Sequence, residues 1–152
     1  MSERFAVDTN VLVYSVDSAA GAKNERAMEV LTLARRRDCV LLVQALTEFY
    51  HVTTRKGMVR PREALELLED WMTVFPVWAA SAAVAAPALR RAASGRHSIW
   101  DAMLLETAAE AGCMWLLSED LQDGSSHAGV KVCNPFAGRE MPLAARRLLG
   151  LT

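Results

Sequence analysis

Four carboxylates stand in segments whose other residues indicate buried structure or the start of a helix. Asp8 interrupts the apolar stretch FAVDTNVLVY, and in QALTEFYHV helical spacing places Glu48 on an otherwise apolar face. Asp101 lies near the start of SIWDAMLLETAAEAG, and Asp120 follows the apolar run CMWLLS. Unpaired buried carboxylates are costly, and neighbouring carboxylates raise one another's pKa. A hard divalent cation such as Mg²⁺ removes both costs, so these acids predict a metal site if the fold gathers them.

Each carboxylate also has an ordinary structural explanation. Asp8 could cap the helix that follows it, since a side-chain oxygen at that position accepts hydrogen bonds from free N–H groups. Glu48 could stand at the solvent edge of its helical face. Asp101 comes three residues after Ser98, which is the spacing of a capping box. Acids are also common in turns that follow a strand, where Asp120 lies. Capping and metal binding therefore both stay open until the positions of the acids are known.

The segments that must position these acids alternate between short apolar runs and amphipathic helical patterns. Strands are predicted at RFAVD, CVLLV, VFPVW, CMWLLS and VKVCN, and Pro76 restricts VFPVW to a sheet edge. Helices are predicted just after Asp8 and over 22–37, 45–57, 61–72, 81–93 and 98–112, with a break or kink at Pro87 and a loop over 119–129. This alternation predicts an α/β fold with a mainly parallel sheet of four or five strands.

A parallel sheet explains how distant acids would meet. In open sheets of this kind, ligands bind beyond the carboxyl ends of the strands, at the point where the strand order reverses. Asp8 and Asp120 each follow a predicted strand, so both are expected at that edge.

The composition places limits on location and partners. The chain has 152 residues, which suits one domain over residues 1–152, and its 17 basic residues nearly balance 18 acidic ones. If the acids gather in one pocket, the remaining surface must be correspondingly more basic. No signal peptide is recognised, and the longest apolar run, VWAASAAVAAPAL, is too short to cross a membrane. The three cysteines have no metal-binding spacing and lie in apolar surroundings: Cys39, Cys113 and Cys133. We therefore expect buried free thiols, which are typical of a reducing compartment such as the cytoplasm.

Several other chemistries lack their sequence patterns. His51, His97 and His127 are scattered, no G-x-S-x-G or phosphate-binding glycine motif occurs, and no Cys or His pair has zinc spacing. An aspartyl-phosphate phosphatase would need a second Asp two positions after its nucleophile, and the chain has Asn10 there.

Four motifs in order, VDTNVLVY, LTEFYHV, SIWDAMLLETAAEAGC and LLSEDLQDG, resemble the PIN domain, and most closely the VapC-type toxins of bacterial toxin–antitoxin pairs. The resemblance runs from Phe5 to about Phe136. It implies an α/β/α sandwich and a hydrolase of phosphodiester bonds, an endoribonuclease that depends on Mg²⁺ or Mn²⁺ and cleaves RNA by metal-activated water. The alternatives are a PIN-like binding module without catalysis and, less favoured, the phosphatase.

The resemblance assigns roles to individual residues. It implies that Asp8, Glu48, Asp101 and Asp120 are both the metal ligands and the catalytic acids. Four further polar residues are expected to support or adjoin the site: Asn10, Ser118, Glu119 and Asp123. Trp100 also fits the family pattern, although a core aromatic on a helix would explain it equally well.

The expected partners are RNA, a small antitoxin protein and a second copy of the chain. A bidentate Arg of the antitoxin would fit an acidic pocket without metal. Homodimerisation is predicted from the apolar helical stripe of Leu65, Leu68, Trp71 and Met72, for which core packing is the alternative.

Overall fold

Six strands form one sheet in the computed structural model, which describes residues 3–151. The ends of the expected domain, residues 1, 2 and 152, lie outside this range. The strands are β1 (Phe5–Val7), β2 (Cys39–Leu42), β3 (Val77–Trp78), β4 (Trp115–Leu117), β5 (Ser126–His127) and β6 (Val130–Cys133). Their order is β3-β2-β1-β4-β6-β5, and each neighbouring pair is parallel except β5 and β6. The α/β class and the mainly parallel sheet are confirmed, and β3 is an edge strand as Pro76 requires.

The strand beyond the expected four or five is β5, which lies in the segment predicted to be a loop. His127 pairs with Val130 across a two-residue turn, and Ala128 and Gly129 have φ angles of 52° and 79°. Positive φ at both central residues is what the tight turns of twisted hairpins need. A strand of two residues carries no detectable alternation, so the sequence gives no sign of it.

The helices follow the predicted segments closely and add one that was not predicted. They are α1 (Thr9–Tyr14), α2 (Ala22–Ala34), α3 (Val43–Arg55), α4 (Pro61–Val74), α5 (Ala85–Ala93), α6 (Ile99–Glu110) and α7 (Leu143–Leu149), with 3₁₀ turns at Ser18–Ala20 and Ala82–Val84. The unpredicted helix is α7. Within residues 3–151, no helix combines the length and the apolar content that crossing a membrane requires.

The predicted break at Pro87 is wrong. The chain forms the 3₁₀ turn first and then continues through Pro87 as α5 without interruption. Pro87 is the third residue of α5, where a backbone N–H would have no acceptor within the helix. The change of helix type therefore comes before the proline rather than at it.

Both faces of the sheet are covered. Phe5 and Val7 of β1 join a core with α1, α2, α3, α4 and α7, whereas Ala6 between them joins a second core with Leu105 of α6. Alternate residues of a strand point to opposite faces, so two cores on one strand mean a three-layer arrangement. The predicted α/β/α sandwich is confirmed.

The apolar stripe of α4 is divided between core and surface. Leu68 and Trp71 are 8% and 3% exposed, and the Trp71 ring lies 5.0 Å from that of Phe49. Leu65 and Met72 are 51% and 52% exposed. Core packing therefore explains half of the stripe and leaves the other half as apolar surface.

The cysteines are free and buried, as predicted. Burial raises the pKa of Cys113 to about 12 and that of Cys133 to about 11. These thiols stay protonated at neutral pH and act as small apolar side chains.

Candidate functional site

Asp8 lies at the point where the strand order reverses. The chain runs from β1 towards β2 and β3, then returns to the other side of β1 as β4. The backbone N–H of Asp8 donates to the Leu117 carbonyl at 2.9 Å, which places the ends of β1 and β4 side by side. This is the crevice in which open α/β sheets bind their ligands.

The carboxylate of Asp8 both caps a helix and is held by the neighbouring strand. Asp8 is the N-cap of α1, and its Oδ1 accepts from the Thr9 N–H at 2.6 Å. Its Oδ2 accepts from the Ser118 hydroxyl at 2.6 Å and from the Asn10 amide at 3.4 Å. Capping is therefore real, but it accounts for only one of the two carboxylate oxygens.

Burial makes the charge on Asp8 expensive. The side chain is 6% exposed, and loss of solvent raises its pKa to about 6. Hydrogen bonds from Ser118 and Thr9 oppose this rise, while the negative charges of Asp120 and Asp101 add to it. Asp8 is thus ionised at neutral pH among like charges.

Ser118 and Asn10 hold the turn after β4 in place. The fully buried Ser118 hydroxyl accepts from the backbone N–H groups of Asp120 and Leu121 at 3.2 and 3.4 Å while it donates to Asp8. The Asn10 side-chain oxygen accepts from the Glu119 N–H at 3.4 Å. Both residues thereby fasten the Asp120 turn to the start of α1.

Glu48 turns towards the start of α1. Its Oε2 accepts from the Thr9 hydroxyl at 2.8 Å, so Thr9 contacts the carboxylates of both Asp8 and Glu48. Its Oε1 accepts from the Gln44 amide at 3.3 Å, and the same amide donates to the Trp100 carbonyl at 3.0 Å. Glu48 is thereby positioned between α1 and α6.

Asp101 and Asp120 present free carboxylates. Ser98 caps α6 as predicted, and its hydroxyl accepts the backbone N–H of Asp101 at 3.1 Å. That cap uses the main chain of Asp101. Within the described part of the chain, no hydrogen bond or ion pair engages the carboxylate of either acid.

Two clefts meet at Asp120. The first, called here the histidine cleft, has a volume of about 590 Å³ and is lined by Asp101, Asp120, Arg96, His97, Gln122 and His127 among others. The second, the tyrosine cleft, has a volume of about 440 Å³ and is lined by Asp120, Glu48, Thr9, Asn10, Tyr14 and Lys56 among others. Glu48, Asp101 and Asp120 therefore line two adjoining clefts, whereas Asp8 lines neither and is joined to the Asp120 turn through Ser118.

Glu119 and Asp123 differ from these acids because their charges are engaged elsewhere. Glu119 accepts from the Tyr14 hydroxyl at 2.7 Å and pairs with Lys23 at 2.9 Å. Burial acts to raise the pKa of Glu119, but these two partners outweigh it and the pKa is lowered. Asp123 accepts from the backbone N–H of Asn134 at 2.8 Å. Both contacts stabilise the local fold.

The donor set fits a hydrated hard cation. Among residues 3–151, no three carboxylate, imidazole or thiol groups are arranged to hold one ion directly. Mg²⁺ usually keeps several waters and takes only one or two carboxylates, so it does not need such a cluster. Oxygen ligands and the uncompensated charge on Asp8 suit this mode of binding, whereas zinc would need closely set Cys or His ligands.

Two of the histidines that are scattered in the sequence meet in the fold. His97 and His127 are far apart in the chain, yet their rings meet edge to face with centroids 4.4 Å apart in the histidine cleft. His127 belongs to β5, the strand that the sequence did not reveal. No local pattern could have paired them.

Trp100 is not a core aromatic. Its side chain is 67% exposed on the first turn of α6, immediately before Asp101. The explanation by core packing is therefore wrong, and the residue contributes an aromatic surface beside the acids.

A family model described as PIN domain matches residues 5–122, a range that contains all four acids. A search of curated proteins gives no match. The fold is similar to solved structures that include the following three. VapC20 of Mycobacterium tuberculosis, described as a sarcin–ricin loop cleaving toxin, has 18% identity and a TM-score of 0.61 over 76% of this chain and 89% of its own.

Two further similar structures are VapBC proteins bound to DNA. VapBC of Salmonella typhimurium has 18% identity and a TM-score of 0.62 over 87% of this chain and 97% of its own. VapBC2 of Rickettsia felis, bound to a promoter fragment, has 11% identity and a TM-score of 0.61 over 84% and 96%. At these identities the likeness establishes the fold.

Proposed function

Because the chain belongs to the PIN-domain family, we propose that it is a divalent-metal-dependent endoribonuclease and the toxin of a type II toxin–antitoxin pair. One observation carries the proposal. Glu48, Asp101 and Asp120 line two clefts that share Asp120, and Ser118 links Asp8 to the Asp120 turn. None of the four acids forms an ion pair within residues 3–151. The acids next to them in sequence are engaged in structural contacts. A site that keeps four uncompensated carboxylates together is suited to a metal ion and its polyanionic substrate.

Asp8, Glu48, Asp101 and Asp120 would hold Mg²⁺ or Mn²⁺. A bound ion would lower the pKa of a water and offset the charge of a phosphodiester, which would otherwise be repelled by these acids. Hydrogen bonds from Thr9 and Ser118 fix the orientation of the Asp8 carboxylate. Asp101 and Asp120 would have both carboxylate oxygens available to bind the ion or its waters.

The residues around the acids support this role by holding the site rigid. Ser118 connects the Asp8 carboxylate to the backbone of the Asp120 turn, and Gln44 connects Glu48 to the first turn of α6. The four segments that carry the acids are therefore linked in two pairs by side-chain hydrogen bonds. Small displacements of a reacting group are costly to catalysis, so such links are what a nuclease needs.

An antitoxin and a second copy of the chain complete the proposal. Two of the similar structures are VapBC proteins, which supports an antitoxin partner for this protein. The pair is proposed to act in the cytoplasm. An antitoxin Arg placed directly beside the acids would compete with the metal ion. The exposed Leu65 and Met72 are the surface on which homodimerisation is proposed.

The test is cleavage of pooled RNA by the purified protein in Mg²⁺, Mn²⁺ or EDTA. We expect cleavage with either ion and none in EDTA. Asp120→Asn should reduce cleavage by orders of magnitude. Asp123→Asn is the matched control, because an Asn oxygen can still accept the Asn134 N–H and the charge removed lies only three residues away. Equal loss in both variants would show that the general charge of the turn matters and would contradict the assignment of Asp120.

A catalytically silent binding module is the second candidate. Such a protein would not need to hold a metal ion, and no three ligand groups among the described residues are arranged to hold one directly. That protein would bind an antitoxin and leave RNA intact with every ion tested. The phosphatase is not supported, because the Asn10 amide lies 3.4 Å from the Asp8 carboxylate where an acid would be needed.

A further inference from the structure

The lining of the histidine cleft is acidic in one part and basic or imidazole-bearing in the rest. Asp101 and Asp120 line one part of it, and the remaining lining includes Arg96, His97 and His127. A cleft made only to hold a cation would have no use for a guanidinium group. The combination suits a ligand that meets a metal ion at one end and carries negative charge and hydrogen-bonding groups further along.

The two histidines form a polar wall that is incompletely satisfied. Their rings are nearly perpendicular, at 87°, and the buried Nδ1 of His97 has no hydrogen-bond partner among the residues that the structure describes. Burial lowers the pKa of both rings, so each presents one donor and one acceptor nitrogen near neutral pH. A buried polar atom without a partner is costly unless a ligand or water completes it.

Positive charge continues beyond this wall. Arg96 also lines the arginine cleft, a neighbouring space of about 390 Å³ whose lining includes Arg90, Arg91 and Glu106. Arg91 is committed to Glu106 at 3.0 Å. Arg90 and Arg96 are exposed and form no ion pair within residues 3–151. Two uncommitted guanidinium groups therefore follow the acids along one path.

We propose that the histidine cleft is a nucleotide subsite of a single-stranded RNA track, in which Arg96 and then Arg90 bind backbone phosphates while His97 and His127 contact the base or ribose next to the cleaved bond. This inference rests on the proposed nuclease function and adds the direction in which the strand leaves the acids. A single strand fits because its unstacked bases can enter clefts and meet rings and hydrogen-bonding edges. An antitoxin segment that inserts Arg would be repelled along this path, so the charges favour a polyanion.

The test measures binding of a fluorescein-labelled twelve-nucleotide RNA of random sequence, in Ca²⁺ to slow cleavage, at several salt concentrations. Each phosphate contact on a single strand contributes about 0.7 to the slope of log affinity against log salt. Arg96→Ala and Arg90→Ala should each lower the slope by about that amount and weaken binding roughly three- to tenfold near 0.1 M salt. Arg96→Lys should restore the slope, because the charge returns.

Arg36→Ala is the matched control. Arg36 is exposed in the turn before β2, at the amino-terminal edge of the sheet and therefore opposite the acids, so its removal should change neither slope nor affinity. His127→Ala should alter which bonds are cut when RNA ends are sequenced, with the total rate less affected.

The outcomes separate this inference from the nuclease proposal. If wild type cleaves RNA but Arg96→Ala and Arg90→Ala behave like Arg36→Ala, the track is wrong and the nuclease stands. If wild type cleaves nothing yet the slopes change as expected, the arginine track stands as an RNA-binding surface, and the nuclease and the placement of the histidines next to a cleaved bond are both wrong. Substitutions that weaken antitoxin binding while leaving RNA binding unchanged would make the cleft a protein interface and overturn the inference.

Discussion

Replacing Asp8 with Asn separates the two roles that this residue combines. Asn caps helices about as well as Asp, so the capping contribution to stability should be preserved. The substitution keeps the shape of the side chain and removes the charge that a metal ion would need. Cleavage of RNA should therefore fall by orders of magnitude while the fold is maintained.

The stability change of Asp8→Asn follows from the cost of the buried charge. The rise of the Asp8 pKa from 3.8 to about 6 corresponds to about 3 kcal/mol of lost stability when the group is ionised. Removing the charge recovers this amount. In the variant, the Ser118 hydroxyl no longer has a carboxylate oxygen to donate to. Loss of this 2.6 Å hydrogen bond lowers the free energy of unfolding by about 1–2 kcal/mol. The metal-free variant should thus be more stable than wild type by about 1–2 kcal/mol at pH 8.

The pH dependence gives this prediction a sign. Between about pH 4 and pH 6, the folded wild type holds a proton on Asp8 that the unfolded chain has already lost. Wild type therefore loses stability as the pH rises through this window, and the loss is complete above it. The advantage of Asp8→Asn in free energy of unfolding should grow from pH 4 to pH 6 and then stay constant.

Denaturant unfolding of both proteins, with EDTA and with Mg²⁺, measures these effects. Mg²⁺ at a hundred times its dissociation constant would stabilise wild type by about 2.7 kcal/mol and should stabilise the variant far less. The order of stability should therefore reverse when Mg²⁺ is added. If Asp8→Asn cleaves RNA at a rate near that of wild type and gains equally from Mg²⁺, Asp8 is only a cap and the metal assignment is wrong.

Three further predictions concern the support of the site and the partners. Ser118→Ala removes a donor to Asp8 and an acceptor for the following turn. The free energy of unfolding should fall by about 1–3 kcal/mol at pH 8, and the rate of cleavage should fall about ten- to a hundredfold. Unchanged cleavage would contradict a positioning role for Ser118. Calorimetry should show that an antitoxin peptide carrying an Arg binds more weakly in Mg²⁺, and equal affinity in both conditions would place the inhibitor elsewhere. Light scattering should show a dimer that Leu65→Asp with Met72→Asp converts to the 16.7 kDa monomer, and a wild type that is already monomeric at micromolar concentration would refute the interface.

The parts of the fold that could be predicted have either a repeating pattern or a continuous apolar run. The helices α3 and α4 show a clear helical period, whereas α6, β1 and β2 are recognisable as apolar segments. The strand β5 escaped prediction because it has two residues and depends on a turn that requires positive φ at Ala128 as well as Gly129. The break predicted at Pro87 is wrong because a proline interrupts a helix only beyond its first turn, and Pro87 is the third residue of α5.

Local sequence could nominate the acids but could not assign their environments. The sequence alone does not decide between the capping role and the metal-binding role of Asp8. One of its oxygens accepts from the neighbouring Thr9, and the other accepts from Ser118, which is distant in the chain. The distinction between Glu119 and Asp120 depends on Lys23, nearly a hundred residues earlier in the chain. The pairing of His97 with His127 likewise depends on tertiary structure alone. Such contacts follow from the packing of whole elements, which no local pattern encodes.

The net charge of −1 conceals how the charges are distributed. Asp101, Glu48 and Asp120 line two clefts that share Asp120, and in the proposed function only a bound cation would make this surface attractive to a phosphodiester. Arg90 and Arg96 lie along the adjoining clefts, where no cation is needed. A chain with evenly mixed charges would offer RNA neither a metal site nor a track. Near-zero net charge therefore does not argue against a nucleic-acid substrate when a metal ion supplies the positive charge at the centre, because the chain then needs arginines only where the strand leaves it.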